Sequence, residues 1–220
     1  MNDDPTRTTS EARRGRGRPR DLLKREAILD AATTLFYERG IGATTMEAVA
    51  ERASVSKMTV YSHFPDKAAL LKASFERNIS SIRLPELADK ADLPTSIAAL
   101  NAFGERLVSF LTRPEIVKTG DLMAITAAEH PALAAAFYAA GPAAVAAMLI
   151  RFLRSLDARG LISVDAVDLT AEQLISAWLG VSQLKQSLGV AGPPSAEVIS
   201  RNVRHATEAF IRAWPVSSAG

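Results

Sequence analysis

The sequence predicts an all-α fold, a small three-helix unit followed by a longer helical bundle. Three observations predict it. From Asp21 onward the apolar residues recur every three or four positions, the period that lines one face of a helix. Proline and glycine interrupt this pattern repeatedly along the chain. No segment alternates apolar and polar residues as a half-buried strand would.

Residues 1–20 are rich in Thr, Ser, Arg, Gly and Pro, have little to bury, and read as a disordered basic arm. A first helix starts at Asp21, with Leu23, Ala27, Leu29, Ala31, Leu35 and Phe36 on its apolar face. Gly40 ends it, because glycine takes the left-handed C-terminal cap without strain. Thr44 or Thr45 caps a second helix, with Glu47 three residues after Thr44 as in a capping box, and Met46, Val49 and Ala50 turn inward. Ser54-Val55-Ser56 breaks the chain before a third helix from Lys57 to about Phe64. Pro65-Asp66 punctuates it again, and a fourth helix runs through Leu70, Leu71, Phe75 and Ile79.

Further helices are expected over about 95–112, 115–129, 132–158, 169–188 and 195–213, set off by Pro94, Pro114, Pro131, Gly160 and Gly192-Pro193-Pro194. The helix over 132–158 should bend at Gly141-Pro142, where proline removes a backbone donor and crowds the preceding turn. The domain boundaries follow: 1–20 arm, 21–66 three-helix unit, 67–220 bundle.

Composition limits the function. The 220 residues are 48% apolar and 23% charged, and they include no cysteine, so disulfides and thiolate metal sites are excluded. The first twenty residues lack the apolar core of a signal peptide, and no apolar run of membrane-spanning length is expected, so a cytoplasmic protein without a membrane segment is the default. Net charge is +2, unevenly spread. Residues 11–25 carry seven Lys/Arg against Glu11 and Asp21, whereas residues 81–220 hold 12 basic and 13 acidic side chains. A basic end on a neutral body suits contact with a polyanion, although a merely solvated tail has the same charge.

Two short helices joined by a tight turn form a helix-turn-helix arrangement. Ala50 is small where the helices cross, Val55 plugs the turn, and Val60 and Phe64 face inward. Lys57, Met58, Thr59, Tyr61 and His63 are then left to point outward, on a helix that fits a major groove. A generic helical hairpin is the plainer reading of the same pattern.

The stretch GRPRDLLKREAILDAATTLFYERGIGATTMEAVAERASVSKMTVYSHFPDKAALLKASFE, from Gly17 to Glu76, resembles the N-terminal domain of the tetracycline-repressor (TetR) family. The stretch HPALAAAFYAAGPAAVAAMLIRFLRSLDARGLI is similar to the C-terminal domains of the AefR-like branch of that family. The resemblance implies an N-terminal three-helix helix-turn-helix DNA-binding domain, a connecting fourth helix, and a helical ligand-binding and dimerisation domain. It implies that Thr44 and Thr45 offer hydroxyls and a helix N-terminus to phosphate, and that Lys57 reaches guanine or phosphate. Met58 and Thr59 would meet a thymine methyl or a base edge, and Tyr61, His63 and Lys67 would meet phosphate. Ser54 departs from the family's usual glycine, so either a serine carries a positive φ at some cost or the turn differs slightly. Arg16, Arg18 and Arg20, spaced by Gly and Pro, fit a narrow minor groove, with non-specific attraction as the alternative.

The body shows no catalytic pattern. His63, His130 and His205 lie far apart without metal-ligand spacing, and no phosphate loop or nucleophile elbow is present, so neither an enzyme, a cofactor nor a metal is expected. Large apolar residues spread over several helices (Phe103, Leu107, Met123, Phe137, Tyr138, Met148, Phe152 and Trp178) suit either plain core packing or a pocket for a small hydrophobic inducer. Leu174 and Val181, with Ile199, Val203, Ala206 and Phe210 on the last helix, form stripes that would build a two-fold homodimer interface or serve the chain's own core. The expected partners are a palindromic double-stranded DNA operator, a second copy of the chain and a hydrophobic ligand. The rivals are a constitutive regulator without ligand, and a helical enzyme or carrier.

Overall fold

The computed structural model describes residues 18–79, 82, 84 and 91–213, and among these no strand occurs. Helices α1 (Arg18–Arg39), α2 (Met46–Arg52), α3 (Lys57–His63) and α4 (Lys67–Ile79) form a head. Helices α5 (Leu93–Leu111), α6 (Pro114–Thr126), α7 (Pro131–Ala140), α8 (Pro142–Ala158), α9 (Val167–Leu179), α10 (Ser182–Ser187) and α11 (Ala196–Ala213) form the body.

The helix starts and stops follow local chemistry. Gly40 has φ +83° and ends α1 with its amide donating to the Phe36 carbonyl at 3.0 Å. Thr45, not Thr44, caps α2 by accepting from the Ala48 amide at 3.1 Å, so the Thr44–Glu47 capping box does not form. Ser56 caps α3 by accepting from the Thr59 amide. Pro114, Pro131 and Pro142 each open a helix, where their missing N–H leaves no bond unmade.

Two boundaries and one expectation about hydropathy depart from the sequence reading. α1 starts at Arg18, so the last residues assigned to the arm join its first turn. The expected helix over 169–188 is two helices, because Gly180 adopts φ 54° and ψ −134°, a conformation only glycine takes readily. The third concerns the membrane reading: Pro131–Ala158 is long and apolar enough to span a bilayer by length and composition, with mean hydropathy 1.9, contrary to expectation. Gly141 divides that stretch into ten- and seventeen-residue helices, and α7 packs on α4 while α8 packs on α9.

Two apolar cores result. The head core gathers Ile28, Leu35, Phe36, Val49, Val60, Phe64, Leu70 and Leu71, and it takes in Met123 from α6. Leu133 and Phe137 of α7 pack against the same cluster, so the body seals the head. The body core centres on Phe103, Leu107, Leu149, Leu153, Trp178 and Val203. Phe103 and Trp178 meet edge to face at 6.0 Å, and the Trp178 indole donates to Thr207 Oγ1 at 3.0 Å. Gly104 lets α5, α9 and α11 cross closely, since a Cβ there would stand 2.8 Å from Val203 Cγ1.

Candidate functional site

The turn between α2 and α3 is built as the sequence implies. Ser54 carries φ 54°, the one non-glycine residue with positive φ among those described. Its amide donates to the Glu51 carbonyl and that of Val55 to the Ala50 carbonyl, closing the turn over Val55, which packs on the head core. Val60 and Phe64 are fully buried, fixing which face of α3 remains outside.

On that outer face Met58 is 77% exposed and Tyr61 39% exposed. The Lys57 ammonium pairs with the Glu47 carboxylate at the start of α2 and lies 5.7 Å from the centre of the Tyr61 ring. The pair holds the Glu47 carboxyl below its ordinary range and the Lys57 ammonium above its own. Thr59 is half-buried and its hydroxyl shares a hydrogen bond with Ser56 Oγ at 2.9 Å. The α2–α3 bridge through Glu47 had no signal in the sequence, because residues 47 and 57 meet only once the turn has folded.

Three residues expected at this surface turn inward. The Thr44 hydroxyl is buried and donates to the Gly40 carbonyl at 2.8 Å, tying the loop back to α1. His63 keeps only 10% of its side chain exposed, with Nε2 3.2 Å from Asp21 Oδ1. Arg25 lies over the neighbouring Phe64 ring at 5.3 Å, so α1 covers the end of α3. Lys67 donates to the Gly42 and Thr44 carbonyls at 2.8 and 2.9 Å, and burial lowers its pKa. Each of the three is a strut of the head rather than a free donor. Arg16 lies outside the described residues, as do the side chains of Arg18 and Arg20.

A cavity of about 510 Å³ lies where head and body meet. Tyr37 of α1 and Phe75, Asn78 and Ile79 of α4 form its head side. The body contributes α5 through Phe110, α6 through Ile116, α7 and α8 through Phe137, Tyr138 and Val145, and α9 through Ile175. Its size and mainly apolar walls match a small-molecule site. Of the eight residues expected to line a pocket, Phe137 and Tyr138 do so. Phe103, Leu107, Phe152 and Trp178 are locked in the body core, Met148 packs against it, and Met123 belongs to the head core. Large apolar residues mark a core and a pocket alike, and only packing separates them. Phe75, Asn78 and Ile79 were missed, although their spacing of three and four puts them on one face of α4.

The stripe expected to pair two subunits is likewise mostly internal. Leu174, Ile199, Val203 and Phe210 are buried in the chain's own core, where α11 packs on α5 and α9. Ala206 lines a shallow outer groove with Ala177, Ala209 and Ala213, and Val181 is 57% exposed. Among the described residues no three His, Asp or Glu side chains gather to hold a metal.

A helix-turn-helix head with an exposed outer face on α3, sealed by a helical body around an apolar cavity, defines a DNA-binding regulator. The comparisons agree. Residues 28–74 match bacterial regulatory proteins of the tetR family, and residues 98–215 match the C-terminal domain of AefR-like transcriptional repressors. The chain belongs to the TetR family of transcriptional regulators. It is 47% identical over 70 residues to the uncharacterized regulator YdeS of Bacillus subtilis (strain 168), a match covering 32% of this chain and 35% of that one. It is 36% identical over 70 residues to the regulator AcrR of Shigella flexneri, covering 32% and 33%. The match thus spans about a third of these curated relatives' length. Over the whole fold, a TetR-family regulator from Mesorhizobium loti MAFF303099 superposes with TM-score 0.69 at 27% identity, covering 90% of this chain and 99% of that one. The flavonoid-responsive regulator FrrA superposes with TM-score 0.68 at 28% identity, covering 89% and 98%.

Proposed function

We propose that the protein is a dimeric, cytoplasmic repressor that binds a pseudo-palindromic DNA operator and is released from it by a small hydrophobic ligand. The observation that carries this reading is that the DNA-binding head itself walls the cavity, through Tyr37 of α1 and Phe75, Asn78 and Ile79 of α4. A ligand there touches the helices that position α3. If it fits one placement of α4 better than another, it shifts the head between them, and the coupling is reciprocal with DNA.

On DNA, Lys57, Met58 and Thr59 open the recognition helix toward base edges, Tyr61 reaches phosphate, and the α2 N-terminus at Thr45 adds amides to a phosphate. Arg16, Arg18 and Arg20 follow the backbone or the minor groove beside it. The alanine-lined groove of α9 and α11, together with the exposed Val181, meets its copy across a two-fold axis and sets two recognition helices roughly 34–36 Å apart. The name of FrrA, a flavonoid-responsive relative over nearly the whole chain, supports an aromatic inducer.

Selection of bound sites from random DNA with the full-length protein tests the first half, and an inverted repeat is expected. Fluorescence anisotropy on that site, titrated with aromatic compounds, tests the second. Enrichment of no sequence would overturn the operator reading, and a complex that no compound dissociates would leave only a constitutive regulator.

A further inference from the structure

We infer that the cavity between head and body takes an uncharged aromatic molecule bearing a hydroxyl or carbonyl group, and that this polar group engages the Tyr37–Asn78 pair that joins α1 to α4. The inference rests on the ligand-responsive reading above and adds to it the class of ligand and the residues that recognise it.

The walls favour a flat aromatic guest. Rings reach the cavity from Tyr37, Phe75, Phe110, Phe137 and Tyr138, that is, from α1, α4, α5 and α7. Phe75 and Phe137 already meet edge to face at 5.3 Å, and a Cβ at Gly141 would stand 3.3 Å from the Phe75 ring. Such rings offer a guest both apolar area and edge-to-face geometry.

The walls disfavour an anion. Among the described residues the lining holds no lysine, arginine or histidine, and its one charged side chain is Glu172. Two arginines act on Tyr37 from nearby, but Arg77 is paired with Glu26 and Asp30, and Arg113 lies over the Phe110 ring at 5.4 Å. A carboxylate entering the cavity would leave water for apolar walls, and the one lining charge, the exposed Glu172, has its own sign.

The polar groups suit a hydroxyl or carbonyl. Asn78 Nδ2 donates to Tyr37 Oη at 3.2 Å, which leaves the Tyr37 O–H to donate to a guest oxygen. Burial and the Glu115 carboxylate raise the Tyr37 pKa, so the group stays a neutral donor. Across the cavity Gln183 Nε2 donates to the Leu111 carbonyl at 2.9 Å, and its own amide oxygen is an acceptor for a guest hydroxyl. Because Tyr37 sits on α1 and Asn78 on α4, a guest that takes the tyrosine hydroxyl perturbs the bond between the two long helices of the head.

The test uses full-length protein, a monohydroxyflavone, the matching flavone carboxylate and the parent flavone, with binding read by calorimetry and operator release by anisotropy. The hydroxyflavone should bind at least about tenfold more tightly than the carboxylate, and Glu172→Gln should narrow that gap. Tyr37→Phe, which keeps the ring, should weaken the two uncharged flavones about three- to tenfold, the range for removing one hydrogen bond, and blunt their release of DNA. Release by each compound is read relative to the variant's own ligand-free operator affinity, since the substitution also removes the Asn78–Tyr37 bond. A carboxylate that binds as well as the hydroxyflavone overturns the ligand class, and a Tyr37→Phe protein with undiminished affinity and release overturns the role of the pair. If the wild-type protein binds none of the three, both this inference and the ligand-responsive reading fall; if it binds them without releasing DNA, only the coupling does.

Discussion

Lys67 on α4 donates to the carbonyl of Gly42, in the loop that leads into α2, at 2.8 Å. The same ammonium reaches the Thr44 carbonyl at 2.9 Å, while a Cβ at Gly42 would stand 3.3 Å from the His130 ring at the α6–α7 corner. The loop before the helix-turn-helix is thus held by α4 and lies close against the body. Lys67→Met keeps the length of the side chain and removes both bonds. It should cost about 1–3 kcal/mol, since two part-buried carbonyls are deprived of a charged donor. Urea melts read this directly. Unchanged stability, with a shallower dependence of DNA affinity on salt, would return Lys67 to the phosphate-binding role.

Tyr61 stands exposed one turn beyond Lys57, on the outer face of α3. Tyr61→Phe should weaken binding by a similar factor on every half-site sequence, because a contact to phosphate carries no base information. Competition binding against a panel of single-base operator variants measures it. A change confined to one base position would make Tyr61 a reader of sequence.

Gly104 marks the closest approach in the body, with Trp178 ring atoms 3.0 Å and Val203 Cγ1 2.8 Å from where a Cβ would stand. Gly104→Ala should destabilise by about 1–3 kcal/mol through overpacking, despite alanine's better helix propensity. Thermal unfolding monitored by circular dichroism checks the sign. A stabilised variant would mean that α11 has room to move away from α5.

Ala209 lines the outer groove of α9 and α11 and is exposed in the single chain, unlike Phe210 beside it. Ala209→Arg should leave the fold intact and split a dimer built on that groove, because a two-fold axis sets two copies of one patch face to face. Sedimentation velocity at micromolar concentration should show a monomer. Operator affinity should fall steeply, since the second half-site is no longer linked to the first. A persistent dimer would move the interface elsewhere.

Removing residues 1–17 keeps α1 whole and deletes Arg7, Arg13, Arg14 and Arg16 from the chain. The slope of log affinity against log salt should flatten by about 0.9 for each phosphate that the arm no longer neutralises. An unchanged slope would show that the arm does not touch DNA.

The head was legible in the sequence because its signals are local. Gly40 stops α1, Ser54 stands at the positive-φ turn, and Val60 and Phe64 share one face of α3, all within a few residues of chain. The inward turn of Thr44, His63 and Lys67 was not legible, because each is satisfied by a partner across the fold or on the preceding turn. A polar side chain at a surface-like spacing carries no mark of whether its bond goes to DNA or to its own backbone. The cavity was harder still. Phe103 and Phe137 look alike as letters, and what separates them is that Phe103 packs against Trp178 in the body core while Phe137 stands at the cavity between head and body.

Met123 lies in α6 yet is buried in the core of the head, 4% exposed, alongside packing from Leu133 and Phe137. The two parts are therefore poor interchangeable units. A chimera that grafts this head onto another regulator's body inherits a hole the size of a methionine side chain unless the new α6 brings a residue to fill it, at a cost of about 2–5 kcal/mol. Because α5 precedes α6 in the chain and belongs to the body core, the remedy for anyone exchanging heads and bodies is a methionine-sized apolar residue at this position of the new α6, not a junction placed beyond it.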